Sequence, residues 1–271
     1  STFAIDFGGE IGAKGQTVNI PVYNSYTAGN FAGDYTTNAS NDVGAVTVTV
    51  DKHKYKTISL TDLENANNGA GATRWEMFGQ KLGEALALSV FQDVLSLVTI
   101  ANFGTAAITS TAANFDSDDV VDLKALCDAD KMPKSGRGLV LADGHFNALL
   151  KDSGIKNASN YGSTDGIQQG MIPNLVGYKT WQSGAIPANS ENLVGFGATE
   201  SAIAMAMRYL VPQRGGDGYD AVAQLQDPET GAVLGMREWV DPATGTAYMT
   251  LEANYGYSVG QADALTRIVS A

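Results

Sequence analysis

The chain has 271 residues and a mass of 28.3 kDa, enough to bury a substantial core in one large domain or two ordinary ones. Seventeen basic against 29 acidic residues give a formal net charge of -12, which argues against a surface built to collect phosphates. The single cysteine, Cys127, excludes an internal disulfide, and 31 scattered glycines with only 7 prolines exclude collagen and low-complexity linkers.

No basic-plus-apolar leader opens the chain, and its longest apolar stretch, Ala85 to Ile100, is interrupted by Gln92 and Asp93. A soluble chain without a membrane span is expected. It starts Ser1-Thr2-Phe3 without methionine, so a processed N-terminus is also expected.

Residues 1–17 hold Gly8, Gly9, Gly12 and Gly15 among few apolar residues and read as an extended arm. Thr17 to Tyr23 favours a strand, Asn24 to Asp42 is polar and rich in Gly, Asn, Thr and Tyr, and Ala45 to Ser59 is strongly β-favouring. The pattern predicts a long hairpin with a broad tip. In its return strand Val46, Val48 and Val50 share one face, which Lys52, Lys54 and Lys56 continue. A face that turns from apolar to basic leaves one packing environment for another. The lysines read either as a solvated strand end or as a row of cations facing a neighbour's carboxylates.

Arg74 to Ile100 reads as one helix about 40 Å long at 1.5 Å per residue. Phe78, Leu82, Leu86, Val90 and Val94 recur at four-residue intervals, and Phe91, Leu95 and Val98 fill the adjacent stripe. Such a helix needs cover on several sides and is expected to be the spine of the fold. The acidic run Asp116-Ser117-Asp118-Asp119 precedes Val120, Val121, Leu123, Leu126 and Cys127, where a helix N-terminus favours caps and negative charge; calcium loops need further oxygen ligands at regular spacing. Cys127 reads as a buried thiol. Leu139 to Ala142 is expected to be a buried strand, with Asp143 capping a short helix through Leu150 and His145 a packing or surface residue.

Gly154 to Gly170 reads as a polar loop, Met171 to Trp181 and Leu193 to Phe196 as strands, Ala202 to Leu210 as a second apolar run, and Gln213 to Gly218 as a break. Asp227-Pro228-Glu229-Thr230-Gly231 and Asp241-Pro242-Ala243-Thr244-Gly245, fourteen residues apart, are two tight turns, because proline presets the first turn dihedral and glycine accepts positive φ. Residues 221–254 therefore read as a three-stranded meander.

Nucleophile-elbow, phosphate-loop, zinc and EF-hand spacings are missing, and His53 and His145 lie far apart with no cysteine cluster. Gly195-Phe196-Gly197 lacks the third glycine of a dinucleotide turn, and Glu238 with Asp241 flanks a turn rather than a cleft. No catalytic, cofactor-binding or metal-binding residue is assigned. The expectation is a protein without enzymatic activity or cofactor.

The order of parts resembles the major capsid proteins of tailed bacteriophages, with the Hong Kong 97 type fold. The most specific segment runs from Gly170-Met171-Ile172-Pro173-Asn174-Leu175-Val176-Gly177-Tyr178-Lys179-Thr180 through Ser183, Ile186 and Pro187. It is similar to the family's glycine, apolar, glycine-aromatic, serine, proline run. Leu139 to Leu150, and the ending from Tyr255-Gly256-Tyr257-Ser258-Val259 to Ile268, are similar to further family elements.

The resemblance implies an α+β chain of five parts: an N-terminal arm (1–17), an E-loop hairpin (18–58) lying over a neighbour, a peripheral domain with a long spine helix (59–116), an inserted axial domain (117–212), and a second peripheral part with the β-meander (213–271). It also implies self-assembly through pentameric and hexameric capsomers into an icosahedral shell around the phage double-stranded DNA genome, without sequence-specific DNA binding. The virion would be its location, after assembly in the host cytoplasm. A scaffolding protein, a portal and a cementing protein are the implied partners besides the chain itself. Tyr23, Tyr26, Phe31 and Tyr35 in the hairpin become candidates for contacts between subunits, against the alternative of a self-packed loop, and Lys52, Lys54 and Lys56 join them. Some relatives join subunits through an E-loop lysine, but Gly15 to Asp51 holds none, so noncovalent contacts or a cementing protein are expected. The family's scaffolding segment has no counterpart before Ser1 and is expected to be cleaved or supplied separately. A cellular nanocompartment shell of the same fold, and an unrelated surface-binding β-rich protein, are the alternatives.

Overall fold

The computed structural model describes residues 4–6, 15, 17–23, 28, 30–31, 33–34, 43–68, 71–156, 169–212, 218–226 and 232–271. In chain order the elements are β1 (Ala4–Asp6), β2 (Thr17–Tyr23), β3 (Val43–Thr49), β4 (Lys52–Thr61), α1 (Asp62–Asn68), α2 (Gly71–Leu95), α3 (Ile100–Phe103), β5 (Ile108–Thr109), α4 (Ser117–Ala129), β6 (Gly138–Leu141), α5 (Asp143–Lys151) and α6 (Ser153–Lys156). They continue with β7 (Asn174–Leu175), β8 (Tyr178–Gln182), β9 (Leu193–Ala198), β10 (Ile203–Arg208), β11 (Ala221–Gln226), β12 (Val233–Asp241), β13 (Thr246–Val259) and β14 (Leu265–Val269). The chain is an α+β protein.

One six-stranded sheet is organised by the long strand β13. Its first half lies between β4 and β12, with β11 beyond β12, and its second half pairs with β10, which pairs in parallel with β1. The meander expected over 221–254 is present. In its second turn Asp241 Oδ1 accepts from the Ala243 amide at 3.0 Å and Gly245 takes φ 57°, while the turn at 227–231 lies outside the described residues. A second six-stranded sheet runs β5-β14-β9-β6-β8-β7, and β2 pairs with β3 as a separate antiparallel hairpin.

Sheet membership cuts across the expected boundaries. β10, inside 117–212, belongs to the meander sheet, and β5 and β14, outside it, complete the other. The physical reason is pairing at long range: β14 lies antiparallel to β9 and parallel to β5, which gives its buried Leu265 and Ile268 a core. The return strand expected over Ala45 to Ser59 is also two strands. Val48 and Val50 pack with Val18, Ile20, Ala204 and Ala206, and β4 then opens in the larger sheet. The break crosses β13 at Gly256, where an added Cβ would fall 1.9 Å from the Thr49 carbonyl oxygen. Only glycine lets the backbones approach so closely.

α2 is the long helix expected, and its buried Leu82, Leu86, Val90 and Val94 follow the four-residue spacing. It shares one core with both sheets, with Met249 of β13 beside Gly79 in its first half, Tyr255 of β13 bonded to Asp93 near its end, and Val140, Leu193 and Phe196 contributed by the second sheet. Phe78, expected in the buried stripe, is 38% exposed. The helix ends at Leu95 rather than Ile100, because the Asn189 side-chain amide donates to the carbonyls of Leu95 (2.9 Å) and Val98 (2.8 Å) and holds the chain in a turn before α3.

α4 opens on a capping box. Asp116 Oδ1 accepts from the amides of Asp118 (3.0 Å) and Asp119 (3.3 Å), and Asp119 Oδ2 accepts from the Asp116 amide. Asp143 does not cap α5 as expected: Ala142 is the cap residue, and Asp143 Oδ1 accepts from Gln182 Nε2 at 2.9 Å, its carboxylate being drawn to the end of the neighbouring strand β8.

Candidate assembly surface

The three lysines lie along β4, where even-numbered residues face α2 and odd-numbered residues face away. Lys54 Nζ meets Asp93 Oδ1 at 2.8 Å and donates to Ser89 Oγ at 2.8 Å, both on α2. Asp93 Oδ2 accepts from the Tyr255 hydroxyl at 2.6 Å. Burial alone would raise the Asp93 carboxyl, but the hydrogen bonds from Lys54 and Tyr255 and the nearby cations outweigh it and hold the group below the ordinary aspartate range. Tyr255, fully buried, is pushed far up by burial first, by its hydrogen bond to Asp93 second and by the Asp93 charge after that. Lys52 lies over the Tyr257 ring, 4.9 Å from its centroid, and 3.9 Å from Asp51. Lys56 is exposed and makes no ion pair among the described residues.

On the other face of β4, His53 Nε2 sits 3.0 Å from Glu252 Oε2, while Arg237 Nε and Nη2 donate to Glu252 Oε1 at 2.9 and 2.6 Å. Burial would lower Arg237, but the Tyr219 hydroxyl and the Glu252 carboxylate carry it above its usual value. Glu252 is only 4% exposed, so its charge depends on these partners.

Lys52 and Lys54 therefore have partners within the chain itself, while Tyr55, 67% exposed, is open on the face turned from α2 and Lys56 is exposed on the face toward it. A groove of about 380 Å³ runs between this strand and α2, lined by His53, Lys54, Tyr55, Lys56, Ala85, Leu86 and Ser89. Leu88 and Met77 on α2, and Val211, Leu225 and Val240 elsewhere, are further exposed apolar side chains. Of the hairpin aromatics, Phe31 is 66% exposed, Tyr23 belongs to β2 with its side chain outside the described residues, and Tyr26 and Tyr35 lie outside them altogether. Tyr55 was not singled out from the sequence. Its position between two lysines on a strand was the available signal.

The residues weighed for chemistry are occupied otherwise. His145 is buried, 3.0 Å from the Ser110 carbonyl and edge-on to Phe115. Gly195-Phe196-Gly197 lies inside β9, where a Cβ at 195 would strike Leu141 and the Val140 carbonyl, so it is a packing site and not a turn. Glu238 stands in register within β12, and Asp241 fastens its turn. Cys127 is buried with Sγ 3.3 Å from Thr266 Oγ1. Among the described residues no group of three His, Cys, Asp or Glu side chains could hold a metal ion, and no helix is long and apolar enough to cross a membrane.

No protein-family model matches the chain, and no curated protein matches it in sequence. Solved structures do match in fold. The capsid structure of cyanophage P-SCSP1u superimposes with a TM-score of 0.64 at 15% identity, covering 100% of this chain and 86% of that one. A structure from Mycobacterium phage Che8 gives 0.61 at 17% identity over 94% and 85%, and the capsid of an empty GTA particle gives 0.60 at 15% over 100% and 88%. The chain thus has the fold found in phage capsid structures, along its whole length.

Proposed function

We propose that this chain is the major capsid protein of a tailed bacteriophage, with a Hong Kong 97 type fold and a structural rather than catalytic role. The observation that carries the reading is the end-to-end match to capsid subunits despite low sequence identity. Exposed apolar and aromatic side chains on separate parts of the chain, Phe31, Tyr55, Leu88 and Val211 among them, suit a subunit that is buried on several sides by copies of itself.

In this reading the hairpin of β2 and β3 is the E-loop lying over a neighbour through Tyr23, Tyr26, Phe31 and Tyr35, α2 is the spine, and the sheet around β6 and β9 forms the axial part. Pentamers and hexamers close into an icosahedral shell around double-stranded DNA, with a scaffolding protein, a portal and a cementing protein as partners in the host cytoplasm. Each interface alone is marginal, and closure satisfies all of them together. With no lysine from Gly15 to Asp51, an E-loop lysine cross-link has no donor there, so noncovalent contacts hold the shell. The net charge of -12 avoids a cationic lining that would retain the genome.

Electron microscopy with light scattering, on the chain co-expressed with its neighbouring genes, tests the reading. Closed megadalton particles of uniform diameter are expected, and packaged DNA separates a virion from a nanocompartment. A stable monomer or dimer in the presence of scaffold would refute it.

A further inference from the structure

The meander sheet has three edge strands among the described residues, β1, β4 and β11. β13 lies between β4 and β12, and β11 lies beyond β12, so β4 and β11 border opposite sides. A free margin presents unpaired backbone N–H and C=O groups to whatever strand can meet it. β4 is 10 residues long, with Tyr55 open at its middle and the groove beside it floored by Ala85 and Leu86. β11 has 6 residues, of which Gln224, Leu225 and Gln226 are exposed.

The charges on the two margins are opposite. β4 carries Lys52, His53, Lys54 and Lys56, whereas Gly215 to Met236 contains no Lys, Arg or His, and Asp220 and Asp227 bracket β11. Two β4 strands brought together would set lysine against lysine, and two antiparallel β11 strands would set aspartate against aspartate. Like charges opposite one another destabilise a strand pair, and opposite charges favour it. Lysines on a margin often only guard it against pairing. Here Lys54 is turned to Asp93 and Lys52 to Tyr257, which leaves Lys56, exposed on the α2 side, as the cation without an ion pair among the described residues, while Tyr55 is open on the opposite face.

We propose that β11 of one copy adds to β4 of a second copy, so that the meander sheet continues from subunit to subunit. The inference rests on the reading of the chain as a shell subunit. Each subunit lends one margin and receives the other, a head-to-tail contact that closes into a ring when the rotation between copies allows. Side chains of the added strand on its helix side enter the groove between β4 and α2.

Cysteine pairs test this in assembled particles, because the native Cys127 is fully buried. Lys56→Cys is combined in turn with cysteine at each position from Ala221 to Gln226, so that one pair meets the Cβ separation of about 3.5–4.5 Å that a disulfide needs. Mild oxidation is expected to give a ladder of covalent multimers for at least one pair and none for either single variant. Shells without a ladder at any position overturn the proposal and leave the capsid reading standing, and dimers from Lys56→Cys alone overturn it in favour of β4 pairing with itself. A ladder in small oligomers that never close supports the strand pairing and refutes the shell. A chain that remains monomeric overturns both. On the charge side, Lys56→Glu is expected to slow assembly by about tenfold in light scattering, and adding Asp220→Lys to restore it; an unchanged rate in Lys56→Glu overturns the charge pairing.

Discussion

The Tyr255 hydroxyl donates to Asp93 Oδ2 while Lys54 holds Oδ1 of the same carboxylate, so β13 and β4 grip one side chain of α2 between them. The spine helix is fastened to the sheet by a charge-assisted cluster as well as by apolar packing. Removing its centre has a calculable effect.

Asp93→Asn keeps the shape and loses the charge. Hydrogen bonds to charged groups contribute about 1.5–3 kcal/mol, and partial exposure of Asp93 and Lys54 brings the expected loss to about 1–2 kcal/mol. Because the folded-state pKa of Asp93 is depressed, its contribution is present above the unfolded value of about 3.9 and is lost as pH falls through the lower folded value. Denaturant unfolding of both proteins at pH 7 and at a series of lower pH values checks this, with the difference shrinking in acid.

Glu252 is the carboxylate on which Arg237 and His53 converge. Glu252→Ala strands the Arg237 guanidinium in a mostly buried site and is expected to cost about 3–5 kcal/mol. Replacing both partners with apolar residues, as in Glu252→Leu with Arg237→Met, is expected to cost less than the single change. Chemical denaturation of the three proteins measures the difference.

At Gly256 the crossing of β3 over β13 leaves no room for a side chain. Gly256→Ala sets a methyl against backbone, which cannot swing aside as a side-chain tip would. We expect a loss of about 3 kcal/mol or more, read as a fall in melting temperature and in the yield of soluble subunit.

Asn189 takes φ 51° and donates to two carbonyls at the end of α2. Asn189→Ala removes both bonds and puts in the left-handed conformation a residue that tolerates it less well than asparagine, for an expected loss of about 2–3 kcal/mol. Asn189→Gly relieves the backbone but not the carbonyls and should fall between. Hydrogen exchange at the amides of residues 95–99 would rise in both.

Much of the local structure was legible in the chain. The four-residue spacing from Leu82 to Val94 identified the spine helix, since only a helix brings those positions to one face. The Asp-Pro-x-Thr-Gly repeat located the meander, and the acidic run before Val120 marked the start of α4. Where the helix would stop was not legible, because the side chain that satisfies its last carbonyls is Asn189, more than ninety residues away.

The candidate surface was legible only in outline. Alternation along β4 placed Lys52, Lys54 and Lys56 on one face, but their environments differ, and the difference lies in their partners. Nothing near Lys54 in sequence indicates Asp93, and nothing near His53 indicates Glu252, 199 positions on.

By itself the sequence determined where the spine helix, the meander and the start of α4 lie, though not where each element stops, because those depend on periodicity and on dihedral preference within a few residues. The tertiary structure alone decided which strands share a sheet, which charges are consumed inside the subunit and which side chains remain open to a neighbour. Those outcomes depend on hydrogen bonds and ion pairs between residues that only folding brings together.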